Sequence, residues 1–191
     1  MQASNRSFGI LPRLVVAGAV LALALVAGVS IANAVEIIPS AGLTRNVDSQ
    51  QANMFGSLSV RGQVMPLLAT ELGVGYRSES HDADLLKVRM WPVTASMWVT
   101  PVPAFYAGGG VGWYNITFDY ADAVTPPLRD HTDQQFGVHL GGGVRVPVAP
   151  SAAVDLNGRY VMLRNQDEDR LIPERFNPNF WQMAAGLALK F

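Results

Sequence analysis

The chain has 191 residues, with 14 Lys and Arg against 15 Asp and Glu, a net charge of −1 and no cysteine. That balance lacks the basic footprint of a nucleic-acid binder, and without cysteine neither a disulfide framework nor a lipid-attachment thiol is possible. Hydrophobic residues make up 49%, yet beyond residue 34 no apolar run approaches the roughly 20 residues of a spanning helix. Short alternating apolar stretches rich in glycine point to β-structure of period 2 instead.

The first 34 residues read differently from the rest. Arg6 and Arg13 are their only charges and precede an apolar run from Leu14 to Val29, followed by Ala32-Asn33-Ala34. A basic start, an apolar middle and a small-x-small site make residues 1–34 a signal peptide, cut between Ala34 and Val35. A membrane anchor is the other reading of so long a run. The Ala-Asn-Ala site, with no basic stop-transfer cluster after it, favours cleavage. Residues 35–191, roughly 157, then form one domain.

Eight alternating segments follow. The first spans about 36–44, then a polar stretch over 46–56 leads to the second at 57–64. A tight turn at 65–67 joins the third, 68–77, and the connection 78–84 leads to the fourth, 85–96. A turn near 99–103 precedes the fifth, 104–118, and the long stretch 119–133 precedes the sixth, 134–146. A turn at 147–152 precedes the seventh, 153–163, and 164–179 leads to the eighth, which ends at Phe191. In that last strand Trp181, Met183, Ala185, Leu187, Leu189 and Phe191 share one face, while Gln182, Ala184, Gly186, Ala188 and Lys190 share the other. An apolar face opposite a small or polar one suits a strand with lipid outside and a polar interior.

An even number of strands, most long enough to cross a bilayer when tilted, predicts an all-β fold: an eight-stranded antiparallel up-and-down transmembrane β-barrel. The short turns fall on one side and the long charged connections on the other. The aromatics suggest two belts: Tyr76, Trp113, Tyr114, Phe118, Tyr160, Phe180 and Trp181 near the long-connection ends, and Trp98, Phe105 and Phe191 near the short-turn ends. Trp91 fits neither.

Parity places Glu36, Arg61, Glu71, Arg89, Arg145, Asp155, Arg159 and Lys190 inward, together with His139. Folding the second and third segments about Pro66 sets Arg61 opposite Glu71. Folding the sixth and seventh about Pro150 sets Arg145 opposite Asp155, and closing the barrel sets Glu36 beside Lys190. Opposed charges on one sheet face attract, so three lumen ion pairs are expected, with Arg89 and Arg159 as further long side chains. Ala107-Gly108-Gly109-Gly110-Val111-Gly112 and Gly141-Gly142-Gly143 have neither a following helix nor the Lys-Ser/Thr of a phosphate loop. They read as strand glycines that permit curvature and close packing. His81, His131 and His139 have no metal-ligand spacing, and no metal or other cofactor is expected.

Glu71-Leu72-Gly73-Val74-Gly75-Tyr76-Arg77, Ala107–Tyr114, Gly158-Arg159-Tyr160 and the terminal Phe191, in that order and spacing, resemble the small eight-stranded outer-membrane β-barrel proteins of Gram-negative bacteria, the OmpA-like and OmpW-like barrels. The resemblance covers residues 35–191. It implies a bacterial outer-membrane location among lipids that include lipopolysaccharide. It also implies insertion by the outer-membrane assembly machinery, which reads the last strand and Phe191, and a monomer whose long loops meet an unknown external ligand. The group holds structural barrels, narrow channels, adhesins and a few lipid-modifying enzymes. Lipid A deacylases of this size place a serine two residues from a histidine on one strand. Here Gly137 and Gly141 flank His139, so the nucleophile of acyl transfer is missing. The expectation is a non-enzymatic barrel with a structural or surface-loop role and a filled lumen, the alternative being a narrow channel for small or apolar solutes.

Overall fold

The computed structural model describes residues 35–48, 51–81, 86–120, 131–163 and 179–191. The expected leader 1–34 and most of the two longest connections lie outside the described residues. Eight strands appear: β1 (Val35–Asn46), β2 (Ala52–Met65), β3 (Leu68–His81), β4 (Leu86–Val102), β5 (Phe105–Tyr120), β6 (His131–Ala149), β7 (Ala152–Leu163) and β8 (Phe180–Lys190). Each pairs with the next, and β8 closes on β1, giving a closed barrel with every pair antiparallel. Pro66, Pro103 and Pro150 stand in the three short turns, where a fixed φ and a missing N–H suit a chain leaving the sheet.

One cross-strand row shows how the barrel closes. Glu36 pairs with Arg61, Arg61 with Glu71, Glu71 with Ser96, Ser96 with Gly110, Gly110 with His139, His139 with Val161, Val161 with Phe180, and Phe180 with Asn46. A full circuit returns to β1 at Asn46 rather than Glu36, a shear of ten residues (46 − 36). A closed sheet with such stagger has tilted strands and an interior of side-chain width.

Several strands are longer than the sequence reading allows. β2 starts at Ala52 and takes in residues assigned to a polar loop, β4 runs through Pro101 to Val102, and β6 starts at His131. β4 has 17 residues and β6 has 19, well beyond the roughly 9–11 that cross a bilayer. Outside the apolar band a strand can be polar on both faces, so alternation stops before pairing does.

The outer face carries the expected apolar surface, but the belts are built from different rings. Tyr76 touches Trp91, Trp113 touches Phe136, and Tyr160 touches Trp181, with centroids 4.4, 5.7 and 4.6 Å apart. Trp91 therefore belongs to the long-connection belt. Trp98, Tyr114 and Phe180 do not face lipid: all three are buried inside the barrel. The sequence reading sorted rings by height along a strand. Parity sorts them correctly, because Trp98 shares a face with Ser96, and Tyr114 with Gly110 and Gly112. The side chain of Phe118 lies outside the described residues. Parity also corrects Arg89, which alternates with buried Met90 on the same face as exposed Trp91 and so belongs to the outer wall.

Candidate functional site: the barrel lumen

The row from Glu36 to Phe180 spirals up the inner wall and organises what the lumen contains. Its lower part is ionic. Arg61 Nη2 lies 2.6 Å from Glu71 Oε2 and its Nη1 lies 3.0 Å from Asp155 Oδ2. Arg159 Nη2 lies 2.6 Å from Glu71 Oε1. Arg145 reaches Glu36 Oε2 at 2.8 Å and Asp155 Oδ2 at 3.5 Å. The six side chains form one chain of alternating sign: Glu36, Arg145, Asp155, Arg61, Glu71 and Arg159. Three carboxylates meet three guanidiniums, and each buried charge has an opposite neighbour, which is the condition for tolerating burial.

Of the expected pairs, Arg61 with Glu71 and Arg145 with Asp155 are in contact, but neither is isolated. Glu36 and Lys190 are cross-strand neighbours, yet Glu36 reaches over the lumen to Arg145, and Lys190 is exposed at the rim. The cause is geometric: in a narrow barrel an inward side chain meets side chains from non-adjacent strands as readily as its ladder neighbour. Arg159 is tied into the network by Glu71.

Aromatic rings wall the ions in. The Arg61 guanidinium lies 4.4 Å from the Tyr106 ring centroid and Arg159 lies 5.1 Å from that of Trp98, within cation–π range. The Tyr106 hydroxyl donates to Asp155 Oδ1 at 2.6 Å, and Asn157 Nδ2 donates to the same oxygen at 3.2 Å. A side chain on Gly143 would overlap the Tyr106 phenol. The glycine therefore lets that ring lie flat enough to reach Asp155.

His139 meets a partner the sequence reading lacked. Its Nε2 lies 2.9 Å from Ser96 Oγ, and both residues are buried. Ser96 on β4 and His139 on β6 flank Gly110 on β5, which leaves the space between them free. The expectation that no serine is available to His139 is thus corrected: none lies two residues away on its own strand, but one comes from two strands away, 43 residues distant in sequence. The pair is not a triad. Among the described residues His139 Nδ1 has no hydrogen-bond partner, whereas in a Ser-His-Asp triad a carboxylate orients the ring at that atom, and Glu71 is held by two arginines.

Above the ions the lumen turns apolar. Met90, Tyr114, Ile116, Val161, Leu163 and Phe180 form one buried cluster, with Tyr114 and Phe180 edge to face at 6.0 Å. Arg77 stands 5.1 Å from the Phe180 ring centroid and donates to Asn46 Oδ1 at 3.0 Å. A cavity of about 40 Å³ separates the two zones, touching Glu71 and Arg159 on one side and Tyr114 and Val161 on the other. Among the described residues no group of His, Asp and Glu converges to hold a metal ion.

A closed antiparallel barrel with an apolar outer wall and an ion-paired interior is a membrane-spanning barrel of the outer-membrane kind. The chain belongs to the outer membrane protein beta-barrel domain family, whose model matches residues 14–191, and it is an outer-membrane protein. No curated protein matches it by sequence. Among solved structures it is similar to Neisserial surface protein A, at 14% identity over 83% of this chain and 96% of that one, with a TM-score of 0.60. The N-terminal barrel of Pseudomonas aeruginosa OprF matches at 15% identity, 83% and 98% coverage and a TM-score of 0.56. Ail, the attachment invasion locus protein of Yersinia pestis, matches at 11%, 83% and 97%, with a TM-score of 0.51. At such identities the likeness is one of fold.

Proposed function

We propose that the protein is a non-enzymatic outer-membrane barrel that acts through its wall and its long loops rather than by passing solutes. The observation that carries this reading is the six-membered ionic chain across the lumen, because charges that satisfy one another also fill the path. A neighbour of the same fold is named for attachment and invasion, which supports a surface-interaction role for this barrel. In this reading the wall sits among outer-membrane lipids, lipopolysaccharide included, and Phe191 serves assembly. A narrow channel is disfavoured by the same ionic chain. Liposomes carrying the refolded protein should swell in a small neutral sugar no faster than empty ones; faster swelling would sink the proposal.

Two further results are expected. External protease on intact cells should cut first within 119–133 or 164–179, the longest connections and rich in charge and proline, since loop segments are the preferred sites of nicking. Cleavage confined to the Pro66 or Pro150 turns would invert the topology. N-terminal sequencing of the membrane-extracted protein should begin at Val35, and a retained Met1 would refute the leader.

A further inference from the structure

The lumen contains polar atoms that the ionic chain does not explain. His139 Nδ1, Asn157 Oδ1 and Arg159 Nε are buried without a hydrogen-bond partner among the described residues, and all three residues line the cavity of about 40 Å³. His139 and Arg159 are 1% and 9% exposed. Buried polar atoms without partners are rare in native proteins and are commonly completed by water. Together they offer what water needs: a donor at Arg159 Nε, an acceptor at Asn157 Oδ1, and at His139 Nδ1 either one, according to tautomer. The orientation of Asn157 is fixed, because its Nδ2 donates to Asp155. The volume suits a few water molecules and little more.

The cavity lies between two barriers of different chemistry. Its floor is the ionic chain at Glu71 and Arg159. Its roof is apolar, with Phe55, Tyr114 and Val161 on the cavity wall and Phe180 stacked edgewise on Tyr114. An ionic floor excludes by occupying the path. An apolar constriction excludes hydrated ions by dewetting, whether or not it closes sterically. The two barriers are built from different contacts: among the described residues Glu71 is held by Arg61 and Arg159, while the roof is held by ring and aliphatic packing.

We propose that this cavity is a binding site for a small cluster of water and that the roof is a second, independent seal, so that breaking the ionic floor alone opens no ion path. The inference deepens the closed-lumen reading and rests on it. The test uses refolded full-length barrel in planar bilayers, with wild type, Glu71→Gln, Phe180→Ala and the double variant compared. Both single variants should stay at the wild-type baseline, and the double variant should show stepwise openings at least tenfold above it. Openings in Glu71→Gln alone would overturn the second seal while leaving the closed wild-type lumen intact; openings in wild type would overturn both. A double variant as silent as wild type would also overturn it, since the two seals would not then be the only barriers. Tyr114→Ala replaces Phe180→Ala if that variant fails to show heat-modifiable migration. The water arm is read by proton NMR of the nanodisc-embedded protein. His139 ring protons should show cross-peaks to long-lived water, lost on changing Asn157→Leu, and their absence in wild type would overturn the site.

Discussion

Replacing Glu71 by alanine should lower the stability of the refolded barrel by about 3–5 kcal/mol, the cost of leaving a buried charge without its partner. Glu71 is 1% exposed and, among the described residues, is the only carboxylate that binds both Arg61 and Arg159. Its removal leaves Arg61 to Asp155 and leaves Arg159 with the Trp98 face alone among its described charge contacts. Glu36→Ala should cost about 1 kcal/mol or less, because that carboxylate and Arg145 are partly open to water. The double change Arg61→Ala with Glu71→Ala should be milder than the sum of the singles, since groups in one network are not additive. Urea unfolding in lipid vesicles, followed by tryptophan fluorescence, measures all of these. Equal effects of Glu71→Ala and Glu36→Ala would show that the network is not dry at its centre.

Trp98→Ala should be nearly as severe, at about 3–5 kcal/mol for emptying a large aromatic site. Trp98 is wholly buried. It packs on Ala69 and Tyr106, meeting the latter edge to face at 5.3 Å, and presents its ring to Arg159 at 5.1 Å and to Arg61 at 6.0 Å. Its loss removes apolar contact and also a cation–π surface that shields two guanidiniums. Trp98→Phe keeps a ring in place and should cost much less. A Trp98→Ala barrel as stable as wild type would place the ring at the lipid interface after all.

The strand count, closure and inward parity of most charged residues were legible because period 2 is dictated by having two different solvents on the two faces of one sheet. Arg61 opposite Glu71 followed from a single turn, Pro66, and needed no knowledge of the rest of the barrel. What stayed hidden was contact across the lumen. Glu36 with Arg145 and Arg61 with Asp155 join strands far apart in sequence, and Ser96 meets His139 only because Gly110 stands between them. Such contacts depend on shear, which no local pattern encodes. Trp98 is misplaced when its height is weighed before its parity, although Ser96 on the same face carries the answer; Arg89 is misplaced by a parity counted on the wrong face, since it shares its face with exposed Trp91 and not with buried Met90.

The central claim is that the native lumen is closed. Single-channel recording of the wild-type protein, refolded and inserted in planar bilayers, tests it most directly. A flat baseline without steady conductance is the predicted result, while stable, reproducible openings of the unmodified protein would contradict it.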